Sequence, residues 1–340
     1  MHLCGKTLVL EGEPSNGKRG IYMRRLLLAG LSAVGLALSL SVVAAEEVTL
    51  KAGVFIPRNA SFGVPMGIFV DHVNEVGKGV LQIRLVGPEA IPGAEQPNAV
   101  ISGVLDMAAV PPPYYKGMFV ESDAMSLTNQ TLAELRASGA YKMISDMAEK
   151  RMGIVYLTTY GGGITFNVYL NKPANSLDDI RGSRVRSQTI YKQIYDQLGV
   201  EGTDIPTPDV FTALERGVVE GYGWPLNGIG EMGWAPETKV RIDPGFYNVD
   251  VTVIMNEKSL EKLGEEQRKV LFDSVAWFDD YMVEWTKEAL QKEIEFQKSA
   301  GIKTLDIGHD YVDRALEQYW ADLEKQSPDT IPAIRKALMK

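Results

Sequence analysis

LDDIRGSRVR (177–186) and TPDVFTALERGVVEGYGWP (207–225) carry the pattern that decides the fold. The first closes on a short apolar and polar alternation, which predicts a strand with Arg186 at its carboxyl tip. A helix then leads to Leu198-Gly199-Val200. Thr207-Pro208-Asp209 has the composition of a helix start: a hydroxyl at the cap, proline at the first helical position and an acid in the first turn. Gly217 ends that helix, and VVEGYGW predicts the next strand. Pro225 has no N–H to give to a ladder, so the chain must leave the sheet there. Arg186 and Trp224 are thereby expected on one rim, the edge at which open α/β sheets bind ligands.

Residues 94–115, AEQPNAVISGVLDMAAVPPPYY, repeat this architecture. Gly103-Val104 leads to Asp106 and Pro111 with the spacing that takes Gly217-Val218 to Glu220 and Pro225. Each of two lobes is therefore expected to use one unit of helix, turn, strand and exit. The first unit would bring Tyr114 and Tyr115 to a cleft, the second Trp224.

The remaining chain fits around these units. VTLKAGVF (48–55) predicts a first strand, and the turn-rich PRNASFG (57–63) after it places Arg58, Asn59 and Phe62 near the rim. A helix over 64–75 and a strand over 81–87 follow, an order that implies a parallel sheet with a right-handed crossover. Residues 132–151 predict one amphipathic helix, and 153–160 a strand. Gly161-Gly162-Gly163 then precede ITFNVYL (164–170). Neither a helix start nor a Lys-Ser/Thr pair follows, so these glycines suit a crossing and hinge between lobes better than a phosphate cradle. DVTVIMN (250–256) is a second crossing strand. Residues 265–297 predict one helix about 50 Å long, enough to brace both lobes, and 311–320 and 331–339 are helical.

Residues 24–45, RRLLLAGLSAVGLALSLSVVAA, have the basic start, apolar run and small-residue end of an export signal cleaved after Ala45; residues 1–22 show no period. Removing 1–45 takes away five Lys/Arg and two acids, which moves the formal charge from −9 to −12. That balance excludes a basic face for nucleic acid or anionic lipid. Cys4 is the one cysteine and lies in the removed part, so the fold must be held by its core. His72 and His309 stand apart from any metal-ligand spacing, and neither a metal nor a cofactor is expected. Adjacent acids such as Asp178-Asp179 and Asp279-Asp280 do not face each other, and no nucleophile elbow or dinucleotide motif occurs, so no enzyme activity is expected.

Taken together, LDDIRGSRVR, ALERGVVEGYGWP (213–225), ISGVLDMA (101–108) and NEKSLEKLGEEQRKVL (256–271) resemble, in order and spacing, the periplasmic solute-binding proteins of TRAP transporters, the DctP family. The resemblance extends over essentially the whole chain after residue 46. It implies an α/β, two-lobed periplasmic-binding-protein clamshell with discontinuous domains, crossing hinge strands and the long bracing helix. Lobe I would comprise 46–163 plus 249–288, and lobe II 164–248 plus 289–340. It further implies a monomeric periplasmic carrier that captures an organic acid and presents it to TRAP membrane permease subunits. Arg186 stands at the family's carboxylate-binding arginine, and an always-ionised planar fork suits a bidentate carboxylate. Phe166, Asn167, Trp224, Thr207, Tyr114, Tyr115, Asn227 and Phe62 complete the expected site. In many members with sugar-acid ligands a second arginine occupies the position of Phe166, and a polar amide that of Trp224. The apolar exchange favours a monocarboxylate with a bulky, even aromatic, body, because hydroxyls buried against Phe and Trp would go unpaired. An ABC-type or sensor-coupled binding protein, or a periplasmic lyase or isomerase of organic acids, are the alternative readings.

Overall fold

The structure, a computed structural model, describes residues 46–339, so the expected export signal lies outside the described residues. The chain opens with β1 (Val48–Val54), α1 (Val64–Val76), β2 (Leu81–Val86), α2 (Gln96–Ile101) and β3 (Met107–Val110). Then come α3 (Leu132–Ser138), α4 (Ala140–Met152), β4 (Ile154–Tyr160), β5 (Thr165–Leu170), β6 (Arg184–Ser187), α5 (Lys192–Leu198) and β7 (Glu201–Asp204). The rest is α6 (Val210–Glu215), β8 (Gly221–Pro225), β9 (Val240–Asn248), β10 (Val251–Asn256), α7 (Glu257–Glu261), α8 (Glu265–Ser299), β11 (Lys303–Asp306), α9 (Asp310–Gln326) and α10 (Ile331–Leu338). Among the described residues no helix is long and apolar enough to cross a membrane.

The single helix expected over 132–151 is two. Thr131 and Glu134 cap the start of α3 reciprocally, and Gly139, at φ 78°, turns the chain before α4 begins. Apolar periodicity runs across both helices and hides the break. Thr207 likewise does not cap a helix: α6 starts after Asp209 without a side-chain cap, and the threonine hydroxyl is used elsewhere.

Two mixed sheets result. The first has strand order β2-β1-β3-β10-β4, the second β11-β9-β5-β8-β6-β7. In each, a strand pair at the heart is parallel, β1 with β3 (Ala52 opposite Met107) and β6 with β8 (Val185 opposite Gly221). The duplicated unit seen in the sequence is duplicated in its hydrogen bonds. After α2, the N–H groups of Ser102, Gly103 and Val104 go to the carbonyls of Asn98, Val100 and Ala99. After α6, those of Arg216, Gly217 and Val218 go to Thr212, Leu214 and Ala213. The acid that follows then ties its strand to the neighbour. Asp106 N–H donates to Lys51 O while its carboxylate accepts from Lys51 N–H, and Glu220 makes the same pair of bonds with Arg184.

The chain passes between the sheets at 161–164 and again at 249–250, and the two crossings hold each other. Val249 N–H donates to Ile164 O at 2.8 Å, and Gly163 N–H to Asn248 Oδ1 at 3.2 Å. Gly161 has φ 97°, and a Cβ there would stand 2.7 Å from Val249 Cγ1, so only glycine permits this approach. At about 50 Å, α8 reaches both sheets. Its Phe278 packs edge-on to Phe69 and Tyr160 beside the first sheet. Further along, Glu293 accepts from Gly228 N–H, and Gln297 donates to Leu226 O beside the second.

Among the strands the sequence left unread, β9 is the most telling. Its Asp243-Pro244-Gly245 is turn-like in composition, yet the strand absorbs it as a register shift against β5. Asn167 fills the irregularity: its Nδ2 donates to Ile242 O and to Asp243 Oδ1, both at 2.9 Å.

Candidate functional site

Arg186 is fully buried on β6, where its backbone faces Thr203 on one side and Tyr222 on the other. Its Nε donates to Ile205 O at 3.0 Å, Nη1 to Gly223 O at 3.2 Å and Nη2 to Thr207 Oγ1 at 3.2 Å. This is the use of Thr207 that displaced its expected capping role. Among the described residues no carboxylate comes within salt-bridge distance of this guanidinium, whereas buried cations are ordinarily paired. Outside these three bonds, Nη1 and Nη2 each keep one N–H, the number a bidentate carboxylate takes.

The guanidinium stands behind an aromatic wall. Its central carbon is 5.7 Å from the centre of the Trp224 ring. Burial pushes the phenols of Tyr114 and Tyr191 above the ordinary range, and the positive charge of Arg186 pulls both part of the way back. Trp224, Tyr191 and Tyr114 face a cavity of about 60 Å³, closed further by Phe55, Phe62, Phe166, Pro111, Ser126, Gln188, Ile190 and Val249–Val251. Phe166 packs edge-on against Tyr191 at 5.6 Å, and Phe55 edge-on against Tyr114 at 5.8 Å. Both sheets and the second crossing thus contribute to one chamber.

Of the residues expected from sequence, Phe62, Tyr114, Phe166 and Trp224 line this cavity, and Arg186 and Thr207 stand behind it. Tyr115 does not: it is buried in the core with its hydroxyl 2.9 Å from that of Tyr156. Tyr114 closes the 3-10 turn Pro112–Tyr114 and Tyr115 follows it, so the two side chains leave the turn in different directions, one to the cavity and the other to the core. Asn167 is likewise committed to β9, because alternation along β5 sends it away from the face that Phe166 occupies. Asn227 lines a different groove, of about 460 Å³, along α8 with Ser61, Glu231, Trp285 and Glu293. Glu231, Glu288 and Glu293 against Lys292 alone make that groove a poor host for an anion. Arg58 is exposed and paired with Asp71 at 2.5 Å, and Asn59 is exposed.

Sequence reasoning missed Tyr191, Gln188 and Asp250. Asp250 opens the second crossing strand, where a lone acid had no pattern to distinguish it. It is 5 % exposed, and burial pushes its carboxyl up to about 6, against the pull of hydrogen bonds from Thr159 and Thr252. Two buried polar atoms of wall residues find no partner among the described residues: Trp224 Nε1, a donor, and Asp250 Oδ2, an acceptor.

The family model of bacterial extracellular solute-binding proteins, family 7 (DctP), matches residues 65–326. The chain belongs to this family. As a DctP-family protein it is 26 % identical over 147 residues to the sialic acid-binding periplasmic protein SiaP of Vibrio cholerae, a match covering 43 % of this chain and 45 % of that protein. The chain thus spans less than half the length of that curated relative in the matched region. Solved structures are similar over far more of the chain. DctP7 of Bordetella pertussis, an extracytoplasmic solute receptor binding pyroglutamic acid, superposes with a TM-score of 0.75 at 16 % identity, over 86 % of this chain and all of that one. A TRAP periplasmic solute-binding protein of Desulfovibrio salexigens with bound orotic acid gives 0.74 at 18 %, over 85 % and 98 %. One from Sulfitobacter with bound β-D-galacturonate gives 0.75 at 14 %, over 86 % and 99 %. The fold is accordingly the two-lobed α/β clamshell of DctP-family receptors.

Proposed function

We propose that this chain is the periplasmic receptor of a TRAP transporter, which captures an organic acid between two lobes and delivers it to membrane permease subunits. The observation that carries this reading is Arg186: a buried guanidinium with no anionic partner among the described residues, set behind an aromatic chamber to which both sheets contribute. A ligand carboxylate supplies the missing charge through two parallel bonds. The lobes are 46–163 with 249–288 and 164–248 with 289–340, and the carrier works as a monomer without catalysing a reaction. A chamber of about 60 Å³ suits a compact monocarboxylate; a bulky aromatic acid needs the walls to part. The test is a thermal-shift screen of the mature protein against monocarboxylates. A ligand that binds only the folded state raises the midpoint by mass action. Absence of a shift with every acid tried, at concentrations up to the millimolar range, would remove the reading.

A further inference from the structure

Asp250 is the mirror image of Arg186. Among the described residues one is a buried cation without an anion and the other a buried acid without a cation; Asp250 lines the chamber, and Arg186 lies behind its Trp224 wall. Asp250 Oδ1 accepts from Thr252 Oγ1 at 3.0 Å and from Thr159 Oγ1. Its second oxygen, Oδ2, is buried and has no partner among the described residues. Desolvating a carboxyl oxygen and leaving it unmatched is costly, whereas a polarised N–H or O–H brought to it recovers that cost. Phe55, Phe62, Phe166 and Val251 give the chamber apolar surface, and Ser126, Gln188 and the phenols of Tyr114 and Tyr191 are its other polar lining.

Resting on the reading of Arg186 as the carboxylate anchor, we propose that the acid carries a hydrogen-bond donor on its body and that Asp250 Oδ2 receives it. The ligand class is then narrower than organic acids at large: 2-amino, 2-hydroxy or lactam acids, but not their deoxy counterparts. Asp250 sets this choice, while Arg186 holds any carboxylate. A purely apolar monocarboxylate would leave Oδ2 as bare as it is now. The chamber would thereby discriminate between acids of nearly equal shape, because rejecting a missing donor is stronger than rejecting a missing methylene.

Three series of near-isosteric acids test this by calorimetry: alanine, lactate and propionate; phenylglycine, mandelate and phenylacetate; pyroglutamate and the lactone in which ring oxygen replaces its N–H. The expected result is that in at least one series the donor member binds about tenfold or more tighter than the member lacking the donor. Asp250→Asn should collapse that gap to within about threefold. Binding confined to the ammonium member identifies a zwitterionic ligand; binding shared by hydroxy or lactam acids identifies a neutral donor. Either result supports the proposal. Equal binding of the propionate, phenylacetate or lactone members in wild-type protein overturns it without needing any variant, as does a gap that survives in Asp250→Asn. Failure of every acid in the three series to bind overturns it too, while a different acid found by the thermal screen would still uphold the carboxylate anchor. If donor discrimination is present but Arg186→Ala leaves affinity intact, the anchor reading falls and the Asp250 assignment stands.

Discussion

Arg186 and Trp224 form a layered pair: the guanidinium carbon lies 5.7 Å from the ring centre, with the cation buried behind and the indole facing the chamber. The pair comes from neighbouring parallel strands, β6 and β8, whose registration sets Arg186 opposite Tyr222 and leaves Trp224 further along toward the exit at Pro225. A group entering the chamber therefore meets the indole, with the guanidinium behind it.

Replacing Arg186 should weaken acid binding strongly, by about 2–4 kcal/mol for Arg186→Ala and by less for Arg186→Lys, which keeps the charge but loses the fork. Arg184→Ala, on the exposed edge of the same strand, should change affinity by less than about 1 kcal/mol. Because Arg186 also serves Ile205 O and Gly223 O, its alanine variant should melt at a lower temperature. Calorimetry with the acid identified by screening separates the two effects.

The adjacent tyrosines should respond in opposite ways. Tyr115→Phe leaves the buried Tyr156 hydroxyl without its partner and should cost about 1–2 kcal/mol of stability with affinity unchanged. Tyr114→Ala removes a chamber wall and its edge contact with Phe55. It should lower affinity about tenfold or more, with the smaller effect on urea unfolding.

Asn167→Ala should destabilise without touching the site. It strips Ile242 O of its side-chain donor at the irregularity in β9 and leaves Asp243 Oδ1 with Arg241 Nε alone, a loss of about 1–3 kcal/mol. A midpoint drop in chemical denaturation, with ligand affinity within about threefold of wild type, is the expected pair of observations; a large affinity loss would place Asn167 on the ligand side of β5 after all.

Asp250 should make stability depend on pH in a definite direction. Its folded-state value is raised, to about 6, so the protonated form favours folding. That contribution is complete below the unfolded value near 4 and is lost as pH rises through about 6. The facing groups are Thr159 and Thr252, which hydrogen-bond the ionised form, and Asp123, which opposes it. Relative to wild type, unliganded Asp250→Asn should therefore gain up to about 3 kcal/mol between pH 4 and pH 7. Urea unfolding of both proteins at the two pH values measures the difference; a constant offset would show that Asp250 titrates as an ordinary surface acid.

Local chemistry was enough to make the double unit of helix, turn and strand legible from residues alone. Glycine at the left-handed turns, an acid before each strand and a proline at each exit are demands of single backbone positions, and they recur at 103–111 and 217–225 with the same spacing. Arg186 stood out for the same reason, as a charge at the end of a strand. What the sequence could not determine is which side of a strand or turn each neighbour takes once partners are chosen. Tyr114 and Tyr115 differ by one position, yet one walls the chamber and the other bonds Tyr156 in the core. Asn167 went to β9 because a register shift there needed a donor, and Asp250 joined Trp224 and Phe166 only because the second crossing brings residues far apart in the chain into one chamber. Such juxtapositions arise from pairing between distant strands, and no window of sequence contains both members of the pair.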